Sequence, residues 1–317
     1  MKEQVRANAT ALLERLNTAR APSPRTRRIV LVLALVLFVG ATALAVRSLP
    51  PLPDGDRHLW LFGLVAMLAA CSIVVNGAEF ALSARSLGTR VTLREATRIS
   101  VLSTAANLLP IPGAAIVKTR ALQRLGAKLR IAATLTIAIG IVWVGVAGVI
   151  AGVLVATTGH HGVLAAVLTA VGAVVLGIGI AILAVQKTEL SSLALVGYAL
   201  AIEVASVGLG SIRFFLVLRA IGFGGSVAQS ATLAATAVVA TAAGVFPGGL
   251  GLRELLSSAI GPAVGMSAAV ATLVAAVERI VSLLVVALMA LVVIATDRSD
   301  PLVDPLASAQ SGKPTCA

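Results

Sequence analysis

Charge is scarce in this chain: Asp, Glu, Lys and Arg make up 12% of its 317 residues, about half of what a soluble globular domain carries. With 58% hydrophobic residues and a mean hydropathy of +1.02, that scarcity excludes a water-soluble domain and points to a polytopic membrane protein. Aromatics are scarcer still, at 3%, which leaves Trp60, Trp143 and Tyr198 as the few candidates for an interfacial belt. The two cysteines, Cys71 in an apolar run and Cys316 near the end, exclude a disulfide framework and a cysteine-based metal site. The three histidines, His58, His160 and His161, support neither Ser-His-Asp nor Cys-His chemistry. His160 and His161 read as a solvated pair in a polar turn. No acid cluster suits Mg²⁺, and Gly222-Phe223-Gly224-Gly225-Ser226 reads as a turn, not a phosphate loop. The expectation is no enzyme and no cofactor. The basic residues lack interleaved aromatics, which argues against nucleic acid and for anionic membrane lipids as partners.

Long apolar runs fill the rest, at about 29–46, 59–84, 99–117, 131–157, 162–185, 190–218, 228–252 and 267–295. Each is long enough for a helix that crosses a hydrocarbon core, which takes about 20 residues. Two of them are broken by proline and glycine. The first reads Asn107-Leu108-Leu109-Pro110-Ile111-Pro112-Gly113 and continues to Lys118 and Arg120; the second reads Pro247-Gly248-Gly249-Leu250-Gly251-Leu252-Arg253-Glu254. Breaks free backbone groups that survive at membrane depth only where protein or a wet cavity satisfies them. Interrupted segments at matching positions of two halves point to a substrate site.

Positive charge sets orientation. Residues 1–28 carry Lys2 and six arginines and read as a cytoplasmic segment, an interfacial amphipathic helix or a solvated basic tail. The run 29–46, despite ending in Ala43-Leu44-Ala45, reads as an uncleaved first span. The loop 47–58 is placed outside. Arg85, Arg90, Arg94 and Arg98 precede the first break, and Lys118, Arg120, Arg124, Lys128 and Arg130 follow it. Both flanks therefore belong inside, and the segment dips in and returns. The expected fold is an all-α polytopic membrane protein with six full spans and two re-entrant helical hairpins in an inverted-topology repeat. A simple eight-span bundle is the alternative. The repeats would cover about 29–157 and 162–296 of an integral membrane domain 29–296. The tail 297–317, with Pro301, Pro305 and Pro314, would be disordered and the C-terminus cytoplasmic.

The two motifs resemble the transmembrane flippase domain of lysylphosphatidylglycerol synthase, the multiple peptide resistance factor. The first matches as Asn107-Leu108-Leu109-Pro110 with Gly113, Arg120, Leu122, Arg124 and Gly126. The second runs without a gap from Pro247 to Glu254. Relatives often carry Gly-Glu where this chain has Gly113-Ala114, so a carboxylate role at the first hairpin is not expected. Residues after 296 are too few for the soluble aminoacyl-transferring domain. The resemblance thus implies translocation in a bacterial-type inner membrane. The cargo would be a phosphate-bearing lipid, either an aminoacylated phospholipid or a polyprenyl-phosphate-linked sugar. A non-transporting partner of a lipid synthase or glycosyltransferase, and a small-solute transporter, are the competing roles.

A half-helix starting at a bend points its N–H groups into the membrane and favours an anion there. Asn107, Pro110, Gly113 and Arg120 at the first bend, and Pro247, Gly248, Gly249, Gly251 and Arg253 at the second, are therefore the candidate phosphate-binding residues. Arg253 would grip a phosphate bidentately or sit in an internal salt bridge with Glu278 or Glu203. Arg120 would help bind or snorkel to the interface. Glu203, Arg213, Glu254, Glu278 and Arg279 would balance charge or couple transport, with Arg253–Glu254 facing Glu278–Arg279. Glu203 would be a proton-coupling or a hydrogen-bonded structural acid. Glu79 reads as interfacial, and Gly140, Gly145, Gly148 and Gly152 as helix-packing glycines.

Overall fold

The computed structural model describes residues 58–107, 113–157, 162–186, 188–243 and 249–296, together with 32, 36, 39, 40 and 42–48. The basic segment 1–28, most of the first apolar run, the bend residues Pro110, Pro247 and Gly248, and the tail lie outside the described residues. Everything regular among the described residues is helical, including residues 32, 36, 39, 40 and 42–46 of the first apolar run.

Among the described residues five helices are long and apolar enough to cross a bilayer: α1 (Leu61–Ser86), α4 (Leu129–Ala156), α5 (Gly162–Ala184), α6 (Ser192–Ala220) and α9 (Ala268–Thr296). Their outer faces carry Val163, Val171 and Val174 on α5, and Leu284, Leu288 and Leu291 on α9, all exposed. Bare leucine and valine over that extent belong against lipid, not water.

The two broken runs are not single helices among the described residues. The first divides into α2 (Leu93–Ala106) and α3 (Gly113–Arg124), the second into α7 (Val227–Ala243) and α8 (Leu252–Ile260). A 3₁₀ turn, Pro262–Val264, leads from α8 towards α9. The two arms of each run pack on one another. Helix α2 starts at a capping box: the Thr92 hydroxyl accepts the Glu95 N–H, and the Glu95 carboxylate accepts the Thr92 N–H at 2.9 Å. That Thr-x-x-Glu pattern satisfies two donors that a helix start leaves unpaired.

Helix α4 packs most extensively on α5, and glycine makes this possible. A methyl group on Gly145 would lie 2.5 Å from the Leu176 nitrogen, and one on Gly152 would lie 2.5 Å from the Thr169 nitrogen. Small residues let helix backbones touch where lipid supplies no hydrophobic drive. Gly140, expected in the same role, faces open space. The α4–α5 pair forms one side of the molecule. Helices α1 and α6 pack together at the centre, the broken segments pack against them, and α9 lies against α1, α2, α6 and α8.

Candidate functional site

The bends are built from glycine contacts between their arms. At the first, a methyl on Gly113 would stand 2.0 Å from the Ala106 carbonyl oxygen, so α3 can begin there only without a side chain. Asn107, at the end of α2, reaches over the bend, and its Oδ1 accepts the Ala114 N–H at 2.9 Å. It therefore caps α3 from outside that helix. At the second bend Gly249 and Gly251 have φ of +75° and +78°, the left-handed region that glycine enters without steric cost. Gly249 also lies against α7, where a methyl would meet the Ala240 carbonyl at 3.1 Å. Here the cap comes from within: Glu254 Oε2 accepts the Gly251 N–H at 2.8 Å.

Around the second bend lies a buried cluster. Glu278 on α9, 1% exposed, receives an arginine on each carboxylate oxygen. Arg253 from α8 pairs with Oε2, and Arg213 from α6 lies 3.1 Å from Oε1. Ser282 donates to the same Oε1 at 2.8 Å and accepts from Arg213 at 3.1 Å. The Arg253 guanidinium also sits over the Phe214 ring, 4.9 Å from its centroid, a cation–π contact. Of the two acids open to Arg253 from sequence, Glu278 holds it, because α8 packs on α9.

The expected face-to-face match of Arg253–Glu254 with Glu278–Arg279 is only half formed. Glu254 is fully buried but turns one oxygen back to Gly251. Arg279, also buried, lies within electrostatic reach of Glu254, Glu278 and Arg253. The cluster thus holds Arg213, Arg253 and Arg279 against Glu254 and Glu278, one positive charge in excess. The Nε of each arginine and the Oε1 of Glu254 are buried with no hydrogen-bond partner among the described residues. Buried polar atoms are almost always partnered, so three donors and one acceptor without partners mark a place suited to further polar groups.

The first broken segment carries a smaller cluster. Lys118 Nζ on α3 lies 2.7 Å from Glu79 Oε2 on α1, with side chains 14% and 13% exposed. Glu203 on α6 is buried, and both Glu79 and Lys118 act on it electrostatically. Glu79 is therefore more than interfacial. Lys118, counted in the sequence only as a topology charge, forms an inter-helix ion pair that reading missed; an acid on the neighbouring span was the signal available. Arg120 points to the exposed side of α3, away from this pair. Glu203 belongs with the first cluster, and Arg213, on the same helix, with the second.

A family model for the lysylphosphatidylglycerol synthase transmembrane region matches residues 26–290. The chain belongs to that family. The match takes in both broken segments and both charge clusters, so the residues described above are those of a lysylphosphatidylglycerol synthase transmembrane region. No curated protein and no solved structure matches the chain.

Proposed function

We propose that this chain is a flippase-like transporter that moves a phosphate-bearing lipid between leaflets without catalysing a reaction. The observation that carries the reading is the Glu278 carboxylate, held by Arg213 and Arg253 at membrane depth in a cluster with excess positive charge. Charge within a membrane span is expensive and marks pathways. A carboxylate between two guanidiniums occupies the position a phosphate oxygen would take, and the same forks bind phosphate. Glu278 therefore acts as an internal anion that holds the site closed. A lipid phosphate displaces it, and the bend backbones at Gly249 and Gly113 come close to the headgroup. Aminoacylated phospholipids and polyprenyl-phosphate-linked sugars both carry the group required.

The broken segments are read as re-entrant hairpins of an inverted repeat, with α1, α2, α3 and α4 equivalent to α6, α7, α8 and α9. Paired packing supports this. Helix α1 packs on α2 as α6 packs on α7; α3 on α4 as α8 on α9; and α2 on α9 as α7 on α4. The central α1–α6 contact then lies on the pseudo-twofold axis. With the basic loops inside, both termini would be cytoplasmic and the membrane a bacterial inner membrane.

The test is leaflet exchange in liposomes holding the purified chain and a fluorescent phospholipid, quenched from outside. Wild type should expose inner-leaflet probe to the quencher faster than empty liposomes. Arg253→Ala should abolish the difference. Exchange unaffected by Arg253→Ala would sink the site. A protein that never exchanges lipid but co-purifies with a synthase would favour the partner role.

A further inference from the structure

A groove of about 590 Å³ lies apart from both charge clusters, between α2 and α9, with Val74 of α1 at its floor. Its α2 wall is Leu93, Arg94, Thr97, Arg98 and Val101. Its α9 wall carries Leu288, Met289, Val292, Val293 and, as the last polar group, Thr296. Ile73 and Val286 pack behind Val101 and Val293 of the lining in one buried apolar layer. The lining on each helix spans nine residues, roughly 12 Å from first to last at helical rise. Positive charge is concentrated at the N-terminal part of the α2 wall, where Arg94 is exposed and Arg98 half-buried. Glu95, the acid between them, accepts from the Thr92 cap and also lies within electrostatic reach of Arg98, so the arginines leave a net positive charge there. Leu288 and Val292 remain open to the outside, 63% and 62% exposed.

An apolar wall open sideways, with two arginines one turn apart at one end, complements an amphiphile that has an anionic head and hydrocarbon tail. We propose that this groove binds an anionic diacyl phospholipid from the surrounding leaflet, phosphate on Arg94 and Arg98 and one acyl chain along Leu288, Met289 and Val292. The site needs only that α1 and α9 cross a bilayer. It does not rest on transport. An arginine near a membrane surface contributes about fivefold to binding an anionic lipid, so two contribute on the order of tenfold to thirtyfold.

The test is binding to the purified full chain in detergent, read by native mass spectrometry and by the shift in thermal unfolding. The probes are dioleoyl-phosphatidylglycerol, dioleoyl-phosphatidylcholine and inorganic phosphate. Phosphatidylglycerol should bind well above phosphatidylcholine, and phosphate alone should give no shift. Arg94→Gln with Arg98→Gln should weaken phosphatidylglycerol at least tenfold. Val292→Trp, which fills an exposed part of the groove and keeps both charges, should weaken it comparably. Unchanged phosphatidylglycerol affinity in Val292→Trp, equal binding of the two lipids, or phosphate stabilising as well as the lipid would each overturn the proposal. So would a disulfide from Val292→Cys to a cysteine placed within residues 29–46, since the groove would then be covered by the chain's own first span.

Discussion

In the first broken segment a lysine, Lys118, joins α3 to α1 through a partly accessible pair with Glu79. In the second an arginine, Arg253, joins α8 to α9 through a pair with Glu278 whose side chains are only 7% and 1% exposed. The backbones do similar things: glycine against the preceding arm, and a side chain capping the arm that follows. The charges do not. A compact ammonium suits a single movable contact, whereas a guanidinium fork with two acids and two further arginines suits bidentate anion recognition. Similar bends have thus been given different electrostatic work, and the second has the chemistry for a phosphate.

That contrast can be broken in order of size. Glu278→Ala leaves Arg253 buried and Arg213 half-buried without their acid and should cost about 3–5 kcal/mol, read as a fall in the unfolding midpoint in detergent. Lys118→Ala removes a pair that is still slightly wet and should cost less, roughly 1–3 kcal/mol. If the two losses are equal, the difference in burial does not matter. Gly249→Ala forces a side chain into the left-handed region at a cost of about 1–2 kcal/mol, and the second bend should become sensitive to protease or thiol labelling. Asn107→Ala removes only a cap and should cost about 0.5–2 kcal/mol, with Asn107→Asp restoring most of it.

The smallest effect lies at the start of α2. The backbone N–H of Thr92, then its hydroxyl, hold the Glu95 carboxyl below its ordinary 4.5. A lowered folded value means the cap stabilises fully above pH 4.5 and fades as the pH falls through the folded value. Thr92→Ala should therefore lower the midpoint slightly at pH 7 and show a flatter dependence below pH 4.5.

Much of the fold was legible in the residues. The runs 162–185 and 267–295 became Gly162–Ala184 and Ala268–Thr296, because twenty-odd mostly apolar residues without a proline have little choice but a spanning helix. The breaks were legible for the opposite reason: proline and glycine cannot continue a helix cheaply. Side-chain partners were not legible. Arg253 had Glu203 and Glu278 open to it, and only the packing of α8 on α9 decides between them. Lys118 followed the same counting rule as Arg120 and Arg124, and nothing local distinguishes a lysine that turns inward to Glu79 from one that faces headgroups. The capping of α3 by Asn107 needed the bend closed in three dimensions, since the bond spans seven residues.

The central claim is that the Arg253–Glu278 pair handles an anion and does not merely hold α8 to α9. Replacing Arg213, Arg253 and Glu278 by methionine in one chain separates these roles, because an apolar substitute for a complete buried ion triad is often neutral or stabilising. Leaflet exchange of a fluorescent phospholipid by the Arg213→Met, Arg253→Met, Glu278→Met triple variant is the direct measurement, with the unfolding midpoint confirming the fold. The account predicts a folded protein with exchange reduced to that of empty liposomes. Exchange at the wild-type rate would contradict it.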